Sequence, residues 1–195
     1  MDRIQNAIAI ATLWHGTQYR KHFIGGSRLP FITHPLEVMK RIWSWGAGTE
    51  DMMQAAVCHD LLEDTSVNVF ELSDIITPMA LSIVKELTFV PKSSTVTKET
   101  IDKYKYAFSQ EKAEYMSSFD KKSIKAFVIK VADRICNCYD FNITNKSYAV
   151  EYYYKAQSLW DIIGSRKGDI DTEFGDVVYG KMLTEYNLLR KTLGA

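Results

Sequence analysis

An excess of charge of either sign is absent: Lys+Arg and Asp+Glu stand at 24 each, so the chain presents no global field to nucleic acid or to an anionic membrane. Any anionic ligand has to be met by local basic residues. Cysteine is scarce: Cys58, Cys136 and Cys138 are odd in number and show no paired CxxC spacing, which argues against a disulfide framework or a zinc knuckle and for reduced thiols. No apolar run approaches the ~20 residues of a membrane span. The opening Met-Asp-Arg-Ile-Gln-Asn lacks the charged-then-apolar order of a signal peptide. A cytoplasmic protein is expected, with no membrane and no nucleic acid among its partners. Internal repeats, low-complexity segments and strand patterns longer than a few residues are missing too, so the expected fold class is all-α.

What is present suits one domain over 1–195, because 195 residues with 46% hydrophobic content can bury a sizeable core. Ile4, Ala7, Ile8, Ala11, Trp14, His15 and Gln18 recur at helical steps and predict an amphipathic helix over residues 3 to about 20, with Arg20 and Lys21 at its end. His15 reads as a packed, hydrogen-bonded helix residue, and 22–30 reads as a glycine-bearing loop. Thr33-His34-Pro35 predicts a helix start with Pro35 at the first helical position, which puts His34 at a helix mouth. Gly46 and Gly48 close that helix and Thr49 caps the next. Further helices are expected around 69–76, from Pro78 to about Phe89, from Ser123, and over 148–160. A loop at 164–171 then precedes a last helix carrying Phe174 to Leu193.

The chemistry gathers in Ala55-Ala56-Val57-Cys58-His59-Asp60-Leu61-Leu62-Glu63-Asp64-Thr65, where four ionisable side chains interrupt an apolar run. Unpaired buried charge costs several kcal/mol, so something must compensate it. His59 and Glu63 are four apart, as are Asp60 and Asp64, which sets them on adjacent stripes of one helix or of a helix and its frayed end. Solvated acids at a helix end are the plain alternative; Cys58 reads as a small buried hydrophobe. Asp133 poses the same problem in the strongly apolar stretch Ile124 to Ala132. Adjacent Arg134 points about 100° away, so a partner from elsewhere is expected.

His34, His59, Asp60 and Asp133 form a mixed nitrogen and oxygen set suited to Mn²⁺, Mg²⁺, Fe²⁺ or Zn²⁺. The H…HD…D order resembles the HD-domain metal-dependent phosphohydrolases. Four motifs narrow the likeness: Gln18-x-Arg20-Lys21, Pro30 to Leu36, the HDLLEDT of 59–65, and Lys130-Val131-Ala132-Asp133-Arg134-x-x-Asn137 resemble the hydrolase domain of RelA/SpoT alarmone enzymes, in order over residues 3–160. Small stand-alone alarmone hydrolases are the nearest type.

The resemblance implies an HD-domain helical bundle with a C-terminal helical extension at 165–195, and a (p)ppGpp 3′-pyrophosphohydrolase, usually with one Mn²⁺. It implies His34, His59, Asp60 and Asp133 as metal ligands. Glu63 and Asp64 would be the catalytic pair that holds the attacking water and handles protons. Arg20, Lys21, Asn137 and Tyr152 would contact the nucleotide.

The segment between Lys21 and His34 is a few residues longer than the family's usual turn, and Cys138-Tyr139 replaces a more usual Leu-Arg or Met-Arg. Residues 91–120 match poorly; they read as a flap or a solvated helix whose Lys92, Lys98, Lys103, Lys105 and Lys112 could reach an anion. Another nucleotide substrate (a dNTP, ppApp, a nucleoside monophosphate or NADPH) therefore stays open, as do a catalytically silent nucleotide sensor and a homo-oligomer.

Overall fold

The computed structural model describes the backbone of residues 2–24, 27–91 and 101–195, and the side chains of these except 22–24 and 101–108. Lys92 and Lys98 lie outside the described residues, as do the side chains of Lys103 and Lys105.

Helix starts fall where side chains can satisfy the free amides of a first turn. Asp2 caps α1 (Arg3–Trp14), Thr49 caps α3 (Glu50–Cys58), and Asn68 with Glu71 closes a reciprocal capping box on α5 (Val69–Ser73). Thr77 caps α6 (Pro78–Leu87), which has proline in its first turn. Between α1 and α3 lies α2 (Thr33–Trp45), ended by Gly46 at φ +100°, a left-handed conformation that favours glycine. It begins at Thr33, two residues before Pro35; a first-turn proline is tolerated there because no intrahelical amide bond is lost.

The centre of the molecule is α8 (Ile124–Thr144), capped by Ser123. Its residues 126–133 are buried without interruption, so this helix has no solvent face over two turns. Helices α2, α6, α9 (Lys146–Tyr154) and α12 (Asp176–Leu193) pack around it, and α3 fills the space between α1, α2 and α6. α7 (Ile101–Ser117) leads through a short 3₁₀ turn at Ser118–Asp120 into α8. Arg166 Nη1 donates to the Phe119 and Lys122 carbonyls at 2.6 and 3.2 Å, tying the chain after α10 (Gln157–Asp161) to that turn.

Three expectations are corrected. α1 stops at Trp14, and 19–30 form an antiparallel hairpin, β1 (Tyr19–Ile24) and β2 (Ser27–Pro30), where a helix end and a loop were expected. Arg20 and Lys21 therefore sit on a strand, where successive side chains face opposite ways: Arg20 is 4% exposed and Lys21 is exposed. The expected loop at 164–171 contains the start of α11 (Lys167–Phe174), which buries Ile170 and pairs Arg166 with Asp169 at 2.8 Å. Phe174 consequently ends α11 rather than opening the last helix. The mainly helical character of the fold is as expected.

Candidate metal centre

α3 ends at Cys58 and a single turn, α4 (Leu61–Asp64), continues it, with His59 and Asp60 at the junction. The Asp64 amide still donates to the Asp60 carbonyl at 2.8 Å, so the helical path persists through the break and keeps the four-residue spacing. α2 brings His34 from its first turn, and α8 brings Asp133 from its buried middle. The structure thus brings together all four residues expected to hold a metal.

His34, His59 and Asp133 each offer an atom within 4.8 Å of the other two. His34 Nε2 is 3.1 Å from Asp133 Oδ1 and 3.8 Å from Asp60 Oδ2, and His59 Nε2 is 3.2 Å from Asp60 Oδ2 and 3.7 Å from Asp133 Oδ1. Neighbouring donors around one small divalent ion with bonds of about 2.1 Å lie about 3.0–3.4 Å apart, so these separations suit a shared cation.

The imidazoles point the same way. His59 Nδ1 donates to the Ala56 carbonyl at 2.8 Å, which leaves Nε2 directed at two anionic oxygens. A lone pair facing carboxylates is repulsive unless a proton or a cation lies between them. Burial alone would lower the His59 imidazole, but Asp60 and Asp133 outweigh it and raise it to about 10 without metal. Burial lowers the His34 imidazole, and the neighbouring His59 ring, 5.3 Å away, adds a smaller push in the same direction. The donor set and its demand for positive charge fit a divalent cation.

Asp133 is held from two further sides. Lys130, one turn earlier on α8 and 6% exposed, reaches Asp133 Oδ2 at 2.9 Å, and Asn137 Nδ2 donates to Oδ1 at 2.5 Å. Burial opposes ionisation of Asp133, but Lys130 and the two imidazoles hold its carboxyl well below the usual range. The expected partner from elsewhere exists in His34, and Lys130 adds one from the same helix.

Glu63 and Asp64 lie one turn on, at the open rim of this centre. Glu63 Oε2 accepts from the Phe89 amide at 3.1 Å. Desolvation, then Asp60 and Glu63, raise the Asp64 carboxyl to about 6, which suits a group that exchanges protons near neutrality. Lys112 of α7 stands in the same electrostatic neighbourhood: desolvation lowers its ammonium against the pull of Glu63.

The four residues expected to touch a nucleotide are placed unevenly. Asn137 is engaged with Asp133. Arg20 turns inward to pair with Asp140 of α8, with Glu37 of α2 4.0 Å away. Lys21 Nζ lies 5.9 Å from the Phe141 ring, and Tyr152 takes the Arg134 guanidinium over its ring at 4.7 Å. Phe141 packs edge-on against both Tyr148 and Tyr152, an aromatic wall beside the C-terminal half of α8.

A family model described as "HD domain" matches residues 7–170, most of the chain and every element that supplies the centre. The chain belongs to the HD-domain family. Among curated relatives of this HD domain, proteins named "Probable guanosine-3′,5′-bis(diphosphate) 3′-pyrophosphohydrolase" are similar to it: one from Mycoplasma pneumoniae is 26% identical over 134 residues, and one from a Synechocystis strain is 28% identical over 136. Each match covers 69% of this chain but only 17% and 16% of the relative, so the chain spans about a sixth of their length. A solved structure described as a metazoan ortholog of SpoT that hydrolyses ppGpp shares the fold, with a TM-score of 0.69, 18% identity and 96% of both chains covered.

The HD domain also contains contacts that sequence reasoning missed. Lys130 had a signal, a cation set between Ile129 and Val131 three residues before Asp133. The Arg20–Asp140 pair and the Phe89 amide on Glu63 join distant segments and leave no local pattern.

Proposed function

We propose that this HD domain is a metal-dependent (p)ppGpp 3′-pyrophosphohydrolase, converting ppGpp or pppGpp and water to GDP or GTP and pyrophosphate. The observation that carries the reading is the placement of Glu63 and Asp64 one turn beyond a cluster of two buried imidazoles, the buried Asp133 carboxylate and the half-buried Asp60 carboxylate. In this reading His34, His59, Asp60 and Asp133 hold one divalent cation, Mn²⁺ by preference. That ion would supply a Lewis acid for the phosphoryl oxygen and a lowered pKa for a bound water.

The chain's own groups divide the remaining work. Glu63, fixed by the Phe89 amide, orients the attacking water, and Asp64 takes and returns the proton. Lys130 and Asn137 keep Asp133 turned toward the imidazoles. Lys21, Tyr152 and the outer side of Asn137 meet the nucleotide, and Arg20 shapes that wall through Asp140. The names of the two bacterial relatives support the substrate. Buried thiols at Cys58, Cys136 and Cys138 are consistent with a reducing cytoplasm, and no described helix is long and apolar enough to cross a membrane. Packing of α12 on α2 and α8 supports treating 1–195 as one unit.

Product chromatography tests the proposal. Mn²⁺-loaded protein is incubated with ppGpp, pppGpp, ppApp, NADPH and a dNTP panel, with an EDTA control. Release of GDP and pyrophosphate from ppGpp, lost with EDTA, is the expected result. Turnover of another nucleotide alone would overturn the substrate and keep the centre; no turnover would favour a nucleotide sensor.

A further inference from the structure

We propose that His15 and Gln18 form a positioning relay that holds the backbone of Asp64, and with it the Glu63–Asp64 pair, in register with the metal centre. Both residues lie in the turn between α1 and β1, and Gln18 is 46 positions before the residue whose carbonyl it reaches.

Hydrogen-bond polarity along this path is forced from its far end. Gln18 Nε2 stands 2.7 Å from the Asp64 carbonyl oxygen, which can only accept. The amide nitrogen of Gln18 therefore faces Asp64, and its oxygen faces His15. His15 Nδ1 lies 2.8 Å from that oxygen and must carry the proton. The imidazole is 1% exposed, its ring is packed 4.7 Å from Phe31, and its Nε2 has no hydrogen-bond partner among the described residues. Charging the ring would bury a second N–H with nothing to receive it, so the neutral Nδ1–H form is locked. Free imidazoles in water prefer the opposite tautomer, which makes the locked state a measurable signature.

The relay matters because α4 is a single four-residue turn and cannot hold its own end. Past Asp64 the chain turns extended at Thr65. Two contacts from outside the turn pin the acid pair: the Phe89 amide on the Glu63 carboxylate, and Gln18 on the Asp64 carbonyl. Neither His15 nor Gln18 belongs to the metal cluster, so their effect on chemistry passes through placement of the acids.

The test has a spectroscopic arm, independent of any substrate, and a kinetic arm that rests on the hydrolase reading. On ¹⁵N-labelled, Mg²⁺-loaded protein, long-range proton–nitrogen spectra report the tautomer of each of the 4 histidines. His15 is expected as Nδ1–H. In Gln18→Leu it should move to Nε2–H, with His34 and His59 signals and metal content unchanged and faster hydrogen exchange at the Asp64 and Thr65 amides. In turnover, Gln18→Leu and His15→Leu should each lower kcat about tenfold or more with KM within about twofold, the mark of misplaced catalytic groups. His15→Asn, whose side-chain amide replaces the Nδ1–H donor, should restore kcat to within about threefold of the parent, and the double leucine variant should be no worse than the poorer single. An Nε2–H tautomer in the parent protein would overturn the relay, as would His15→Asn failing as badly as His15→Leu. If the parent turns over none of the nucleotides, the hydrolase reading falls, and the tautomer and exchange measurements alone decide the relay.

Discussion

Asp133 meets His34, His59, Lys130 and Asn137 within a few ångströms, and each neighbour makes a different demand on its two oxygens. Lys130 occupies Oδ2, which leaves Oδ1, already accepting from Asn137, to face the imidazoles and the ion they would share. Asp60→Ala should abolish nucleotide turnover and lower metal content, whereas Glu63→Ala should abolish turnover with metal retained; elemental analysis alongside the assay separates the two. A second expectation follows from His59, which carries a proton without metal because Asp60 and Asp133 raise it to about 10 against its burial. Loading the cation at pH 8 must expel that proton. Calorimetry in buffers of different ionisation enthalpy should show about one proton released per ion, with apparent affinity rising as pH approaches 10. At this scale the sequence was legible wherever a charge interrupted an apolar run, as at His59, Asp60 and Asp133. It was silent about Phe89, whose contribution is a backbone amide that any residue could offer.

The elements set how accurately those residues meet. The α2–α3 connection is four residues with two glycines, and it fixes the helix of His34 against the helix that leads to His59. A Cβ at Gly48 would stand 2.8 Å from Trp43 Cδ1 and 3.0 Å from its Cα, and Gly46 has φ +100°. Gly48→Ala is expected to cost about 1–3 kcal/mol through overpacking and Gly46→Ala about 1–2 through left-handed strain. Gly180→Ala, mid-helix with nothing within 4 Å of its Cβ, should be neutral or stabilising. Urea denaturation of the three variants orders them. Helix starts were readable from capping residues such as Thr49 and Thr77, because that signal is local. The hairpin was not. Its strands are short, their register is irregular between Tyr19 and Phe23, and Arg20 faces inward only because Asp140 waits on α8. α11 was equally hidden, since Gly168 and its charges read as loop while Ile170 is its one fully buried side chain.

At the scale of the molecule, the centre joins α2, the α3–α4 junction and α8, and the unfolded chain has no comparable arrangement to offer an ion. Divalent cation at about a hundred times its dissociation constant should therefore stabilise the fold by ~2.7 kcal/mol, which for a chain of 195 residues is a rise in melting temperature of about 5–11 °C, reversed by EDTA. Scanning calorimetry with Mn²⁺, Mg²⁺ and EDTA measures it, and an unchanged melting temperature would count against the site. The same span of chain has a temporal side. His34 and Asp133 are 99 positions apart, so a growing polypeptide displays both imidazoles and the Asp60 carboxylate long before the residue that completes the set is made. Until α8 is synthesised and slides into the middle of the molecule, the helices meant to surround it have no common neighbour to pack on, and maturation of the centre waits on the last of its contributors.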